Sequence, residues 1–316
     1  MPNIWAHIQF GTEVLTAISA ENYLNDPNWK TSFQLGCQGP DFLFYDHFWP
    51  WQASTPLNKL GSQMHNIRCG PFLLSLFEKA RSRPLEDHVV AYTVGFLLHH
   101  LLDRHLHPYI FSLSGFKKWH HQRFETAMDS AVLYERAGVN TGTTPVCPQV
   151  NTRGKIPGEF ALDFLSVVAE HYPVLAEQIT PNQLDEAVAQ FAKAQRVFFD
   201  PTGWKGKLAF GQLEPFSPPR QVPEWDVLNK ANRPWVDPCD RTLVHTESAM
   251  ELWDNALVDA VATTQAGIAW LYAGSDPEAI TLRDRFKELL KDISYETGRP
   301  CGSAWITYAD SIVPVN

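Results

Sequence analysis

Residues 99–111, HHLLDRHLHPYIF, set four histidines and an aspartate into a stretch otherwise rich in leucine and aromatic residues. On a helix each residue advances about 100°, so positions i, i+4 and i+8 fall within an arc of about 80°. His99, Asp103 and His107 therefore present imidazole, carboxylate and imidazole on one face. By the same geometry His100 points about 100° away from His99 and His105 nearly opposite Asp103, so these two are read as core or surface histidines. HHQRFE repeats the His-x3-acid spacing with His121 and Glu125, whereas His120 meets only Phe124 at that spacing. One such pair is usually an ordinary hydrogen bond or a solvated face. Two pairs with a further imidazole in an apolar helix suit a divalent metal, zinc above all, because buried charge of this density is tolerable chiefly when paired or metal-bound. The chain carries no HExxH, no GxSxG elbow, no Walker loop and no adjacent His-Asp doublet, which removes the commoner hydrolase and nucleotide-binding readings.

The periodicity of the elements that must hold these residues is mostly helical, and strand alternation is scarce. A first helix starts near Trp5, with Ile8, Val14, Leu15 and Ile18 on its apolar face. Glycine and proline make LGCQGPDFLFYDHFWPWQASTPLNK an aromatic-rich irregular loop. Helices are expected over 61–80, 85–107, 116–136, 158–175, 181–199, 240–273 and 276–293, the 85–107 helix ending where Pro108 makes continuation unfavourable. The polar segment 138–158 is the best candidate linker between a metal-site half, 1–135, and a C-terminal helical half, 159–316, of one α-helical domain. Residues 200–238 read as a long ordered loop. The fold class is all-α, a multi-helix bundle with metal-ligand pairs on two of its helices.

At 316 residues with 44% hydrophobic content the chain can bury a large core. The net charge of -9 argues against general nucleic-acid binding, since no basic run could replace phosphate counterions. The N-terminus lacks the pattern of a secretory signal and no run of about 18 apolar residues follows, so a cytoplasmic protein without a transmembrane segment is expected. Five cysteines, odd in number and without CxxC spacing, suggest neither a disulfide framework nor a cysteine zinc site.

Taken together, the motifs of residues 5–135 resemble the zinc-dependent phospholipase C family, all-helical enzymes related to the fungal single-strand nucleases. They are an early helix histidine, His7 in WAHI; a Gly-Pro-Asp loop with Asp41; His65 in QMHNI; the His-x3-Asp helix ending in His-Pro; and the His-x3-Glu helix. The stretch RPWVDPCDRTLVHTESAMELWDNAL is a weaker match with no ligand to transfer. The resemblance implies that Asp41, His65, His99 and Asp103 bind one zinc ion, that His107, His121 and Glu125 bind a second, and that His7 joins the bridging Asp103 at a third. Secreted relatives complete the third site with a free N-terminal tryptophan, which a chain starting MPNIWAH does not offer. Two tight Zn2+ ions and a weaker third are therefore expected.

The implied activity is hydrolysis of a phospholipid or related phosphate ester by metal-activated hydroxide, with Asp41 as ligand and, secondarily, as the group that positions or deprotonates the water. In FLFYDHFWPW, rings such as Phe42 and Tyr45 stand beside the metals in sequence and are candidates for holding a quaternary ammonium headgroup, although a core role for this loop is the simpler reading. Peripheral membrane contact fits a lipid substrate. The alternatives are a nuclease or nucleotidase on the same cluster, and a non-catalytic zinc-bound helical module that binds a partner.

Overall fold

In a computed structural model, which describes residues 3–49, 51–81, 83–274 and 276–314 (of Asp276 the backbone only), the chain is about 60% helical. Among the described residues there are thirteen α-helices and a single pair of two-residue strands.

The organising element is α5, His88–Ser114, a helix of 27 residues buried on every side along most of its length. That makes it about 40 Å long, and a helix apolar all round is stable only when others enclose it. α1 (Ile4–Ala17), α2 (Pro27–Gly36), α4 (Cys69–Ala80), α6 (His120–Ala137), α8 (Gly158–His171) and α12 (Ala249–Leu271) pack against it, and α13 (Asp276–Leu290) backs α12. α3 (Pro56–Met64) and α10 (Pro181–Phe198) lie over the 3₁₀ turn Asp41–Tyr45. Two single turns, α7 (Cys147–Val150) and α9 (Pro173–Ala176), and the five-residue α11 (Trp204–Leu208) complete the set.

Local sequence explains where most helices start. Asn3 caps α1, Asp26 caps α2 ahead of Pro27, Asp87 caps α5, and Thr55 with Asn58 and Ser248 with Glu251 form capping boxes for α3 and α12. Each cap satisfies amide groups that the first helical turn leaves without partners.

Three expectations need correction. First, the 85–107 helix does not stop at His107 but runs through Pro108 to Ser114. An interior proline costs about 3 kcal/mol, but Tyr109, Ile110 and Leu113 beyond it are buried, and burying each such side chain returns about 1.5–3 kcal/mol. The Arg104 carbonyl, which Pro108 has no N–H to serve, faces Gly298; a Cβ there would lie 2.5 Å from that oxygen and 3.0 Å from Pro108 Cγ. Second, the 61–80 helix is two. α3 ends at Met64, Arg68 takes a left-handed φ of 55°, and α4 begins at Cys69. Partners from far along the chain make the break tolerable: the Tyr295 N–H donates to the His65 carbonyl at 2.8 Å and the Tyr172 hydroxyl to that of Ile67 at 2.7 Å. Third, residues 235–245 form an antiparallel pair, β1 (Trp235–Val236) with β2 (Val244–His245), so α12 starts at Ala249 rather than near 240.

Within 138–158, α7 packs on α2 and α10, and Val146, Val150 and Ile156 are buried. Within 200–238 the chain forms α11, the 3₁₀ turn Glu214–Phe216 and β1.

Candidate metal centre

Five elements deliver the eight residues singled out by sequence. His7 projects from the second turn of α1, whose N-terminus is held by Asn3 and by the buried Asp129 carboxylate, which accepts the Ala6 N–H at 2.6 Å. Asp41 opens the 3₁₀ turn after Pro40, and His65 closes α3. His99, Asp103 and His107 share the face of α5 that their spacing dictates, while His121 and Glu125 lie on the first turns of α6.

The structure brings all eight together. His99 Nε2 is 3.1 Å from Asp103 Oδ2 and 3.6 Å from Asp41 Oδ1. His7 Nε2 is 3.3 Å from Asp103 Oδ1, and His65 Nε2 is 3.2 Å from Asp41 Oδ1. His107 Nε2 stands 4.0 Å from Glu125 Oε1, which is 2.6 Å from His121 Nε2. The donor atoms form three groups, His7–His99–Asp103 and Asp41–His65–His99, which share His99, and His107–His121–Glu125, in each of which all lie within 4.8 Å of one another.

These contacts are not simply ion pairs. His7 Nε2, His99 Nε2, Asp41 Oδ1 and both Asp103 oxygens are buried and make no hydrogen bond, although they stand 3.1–3.6 Å apart. Leaving such groups unpaired in a core costs several kcal/mol. Two ligands bound tetrahedrally at 2.0–2.1 Å would lie about 3.3 Å apart and aim at a point between them rather than at each other. The donor set, its spacing and its misdirection as hydrogen bonds all fit a divalent cation of zinc's kind.

Backbone carbonyls hold three of the imidazoles from behind. His65 Nδ1 is 2.7 Å from Gly61 O, His99 Nδ1 3.1 Å from Cys37 O, and His107 Nδ1 2.7 Å from Tyr295 O. An Nδ1–H donated to a carbonyl fixes the tautomer with the Nε2 lone pair facing the cluster, the usual support for a metal-ligating histidine. Burial lowers His7 to about 4 and His107 well below its ordinary value. Burial alone would raise the Asp103 carboxyl, but His99, His107 and His7 around it hold it well below the carboxylate range.

The neighbouring histidines face elsewhere, as the helical geometry expects. His105 Nε2 pairs with Asp259 of α12 at 2.8 Å, and His120 Nδ1 meets Ser311 Oγ at 3.2 Å. His100 Nε2 donates to Ile293 O at 2.9 Å, and burial pushes this imidazole down to about 3. Between that value and 6.5 the unfolded chain binds a proton that the folded ring refuses, so stability falls as pH drops below 6.5. At about 1.4 kcal/mol per pH unit this is roughly 2 kcal/mol by pH 5. His100→Gln, which keeps a donor toward Ile293 O, should retain all bound metal and lose less on acidification. Its melting temperature should fall between pH 7 and pH 5 by roughly 3 °C less than that of the parent; loss of metal would place His100 among the ligands.

The aromatic loop divides. Phe42 is fully buried against Phe164, in the core rather than at a wall of the centre, and Tyr45 is half-buried between Phe48 and Phe191. Phe44 is the ring beside His65, with centroids 5.4 Å apart. Sequence reasoning missed Asp129 and the segment 292–301, whose Ile293 and Tyr295 carbonyls brace two histidines of α5; a braced carbonyl leaves no mark in the residue that supplies it. It also missed that Cys69 and Cys301 meet, Sγ to Sγ 3.4 Å, beside Asp292.

A family model described as zinc dependent phospholipase C matches residues 6–168, just over half the chain and inclusive of all eight residues. The chain belongs to the zinc-dependent phospholipase C family. Membership of this family, together with the clustered imidazoles and carboxylates, points to a metal-dependent phosphoesterase. No curated protein and no solved structure matches the chain. Met1 and Pro2, on which the expectation of a weaker third ion rests, lie outside the described residues.

Proposed function

We propose that this protein is a zinc-dependent phosphodiesterase of the phospholipase C type, cleaving a phospholipid or a closely related phosphate ester. The observation that carries the reading is the convergence of buried, mutually misdirected nitrogen and oxygen atoms from His7, Asp41, His99 and Asp103 within 3.1–3.6 Å. Asp41, His65, His99 and Asp103 would hold one ion, His107, His121 and Glu125 a second, and His7 with Asp103 a third. Bound zinc supplies Lewis acidity toward phosphoryl oxygens and acidifies water near neutral pH.

The chain's own groups supply position and proton transfer. The carbonyls of Gly61, Cys37 and Tyr295 fix His65, His99 and His107 in one tautomer, so the ligand set is organised before substrate arrives. Asp103 has no exposed side-chain surface, whereas 11% of the Asp41 side chain is exposed. Solvent therefore reaches Asp41, and its carboxylate accepts the proton of a water attacking phosphorus. The C-terminal half serves as scaffold, through α12 against α5 and through segment 292–301 behind the histidines.

Metal analysis of the purified protein, combined with assays on phosphatidylcholine, a dinucleotide and a phosphomonoester, tests this reading. Zinc at about two equivalents or more, with release of diacylglycerol, is the expected result. Zinc below about one equivalent without gain on reconstitution would sink it, and release of nucleotides alone would move the substrate to nucleic acid.

A further inference from the structure

Beyond the family segment, α10 ends at Phe198 and the chain turns through Asp200 into α11 and on to Phe210. Trp204, Leu208 and Phe210 are exposed by 66, 75 and 92%. Three large apolar side chains within seven residues form a patch of the kind that marks an interaction site. They lie on a five-residue helix and its following turn, and nothing in the metal centre uses them.

The charge of this patch is the reverse of the chain's. Residues 193–213 hold Lys193, Arg196, Lys205 and Lys207 against one acid, Asp200, in a protein of net charge -9. Asp200 is committed to the turn, accepting the Gly206 N–H at 2.8 Å. Lys205 caps the end of α10, donating to the carbonyls of Arg196 and Phe199 at 2.7 Å each. Lys193 and Arg196 border an open concavity of about 570 Å³ with Leu208, and Lys207 lies over the Trp204 ring.

Ring contacts run from Phe198, six residues before Trp204, toward the loop after Asp41 and toward the start of α6. Phe198 meets Phe48 at 6.2 Å, which leads through Trp49 to Trp51, 75% exposed, in the loop that follows Asp41. In the other direction Phe198 stacks on Phe216 at 5.1 Å, and Phe216 meets Trp119, two residues before His121, at 4.9 Å.

We propose that the α11 surface docks the protein on an anionic phospholipid membrane, with Trp204, Leu208 and Phe210 entering the interface and Lys193, Arg196 and Lys207 meeting lipid headgroups. Exposed aromatic and aliphatic tips ringed by basic side chains suit the boundary between headgroups and acyl chains. A second copy of the chain is a poorer occupant, because a two-fold contact would set the basic residues against themselves. The proposal rests on the phospholipid reading above and names the surface that brings the centre to its substrate.

The test is co-sedimentation of the full chain with vesicles of phosphatidylcholine alone and of phosphatidylcholine with phosphatidylserine, at low and high salt. Binding should favour the anionic vesicles and weaken with salt. Trp204→Ser combined with Phe210→Ser should reduce it by roughly tenfold or more, and Lys193→Glu combined with Arg196→Glu should abolish the preference for phosphatidylserine. Both double variants should melt like the parent and cleave a monomeric, water-soluble phosphodiester at the parent rate. Unchanged vesicle binding in both would overturn the proposal, as would a dimer in sedimentation velocity that the Phe210 change dissociates. Because binding is read without turnover, vesicle association without diacylglycerol release would leave the surface standing and sink the substrate reading instead.

Discussion

Asp103→Asn should empty most of the metal centre. Asp103 is the carboxylate that three imidazoles surround, with His99 Nε2 at 3.1 Å, His7 Nε2 at 3.3 Å and His107 Nδ1 at 3.8 Å, and it has no exposed surface. Asparagine keeps the shape but removes the charge and turns an N–H2 donor toward a cluster built to receive a cation. Under the assignment proposed above Asp103 serves two ions at once, so the loss should exceed that in His7→Ala, which would touch one. Altering a group that merely supports a ligand already costs 10–100-fold in metal affinity or activity, so at least about a hundredfold is expected here.

Stability supplies a second readout of the same change. An ion present at a thousandfold excess over its Kd stabilises the native state by about 4 kcal/mol, roughly 6 °C in melting temperature for a chain of this size. The parent should lose that margin on chelation, whereas Asp103→Asn should begin without most of it. Equal metal content and equal melting temperatures in parent and variant would count against the cluster as a metal centre.

Gly39→Ala should disable the centre without replacing a ligand. Gly39 has φ +49°, and a Cβ there would lie 2.2 Å from His99 Cδ2, 2.5 Å from Cγ and 2.9 Å from Nε2. All are below any real contact, so the ring must leave Asp41 and Asp103 or the turn that delivers Asp41 must open. Overpacking of this kind costs about 1–3 kcal/mol and the left-handed backbone adds about 1–2 kcal/mol. Gly138→Ala is the control: its φ is +65°, but nothing lies within 4 Å of its added Cβ. It should pay only the backbone term and keep its metal. Denaturant titration and metal content of the two variants separate crowding of His99 from left-handed strain, and a Gly39→Ala protein with full metal would show that the turn yields at little cost.

The reach of sequence reasoning differs from element to element. The register of α5 was legible because rotation per residue is a local property: it set His99, Asp103 and His107 on one face and turned His100 and His105 away, toward Ile293 and Asp259. The start of α1 was read to within a residue of Ile4, whereas α2 was not expected and α12 was expected near 240, although the caps at Asp26 and Ser248 act within three residues. Passage through Pro108 was not legible, because the Arg104 carbonyl meets Gly298 almost 200 residues later. Nor was the break at Arg68, which is made tolerable by Tyr172 and Tyr295. The aromatic loop shows the same limit: composition marked it as apolar, but only packing sends Phe42 into the core and leaves Trp51 outside.

By itself the sequence determined an all-helical chain of the zinc-dependent phospholipase C family and the residue types able to hold a divalent cation, because helical period, end-capping and motif spacing are written in neighbouring residues. Tertiary structure alone decided that those residues converge within 2.6–4.0 Å, which imidazole nitrogens face inward, and that Trp204, Leu208 and Phe210 stay exposed. The physical reason is that these outcomes depend on backbone carbonyls such as those of Cys37, Gly61 and Tyr295. Every residue carries such a group, so no side-chain identity announces which of them will be used.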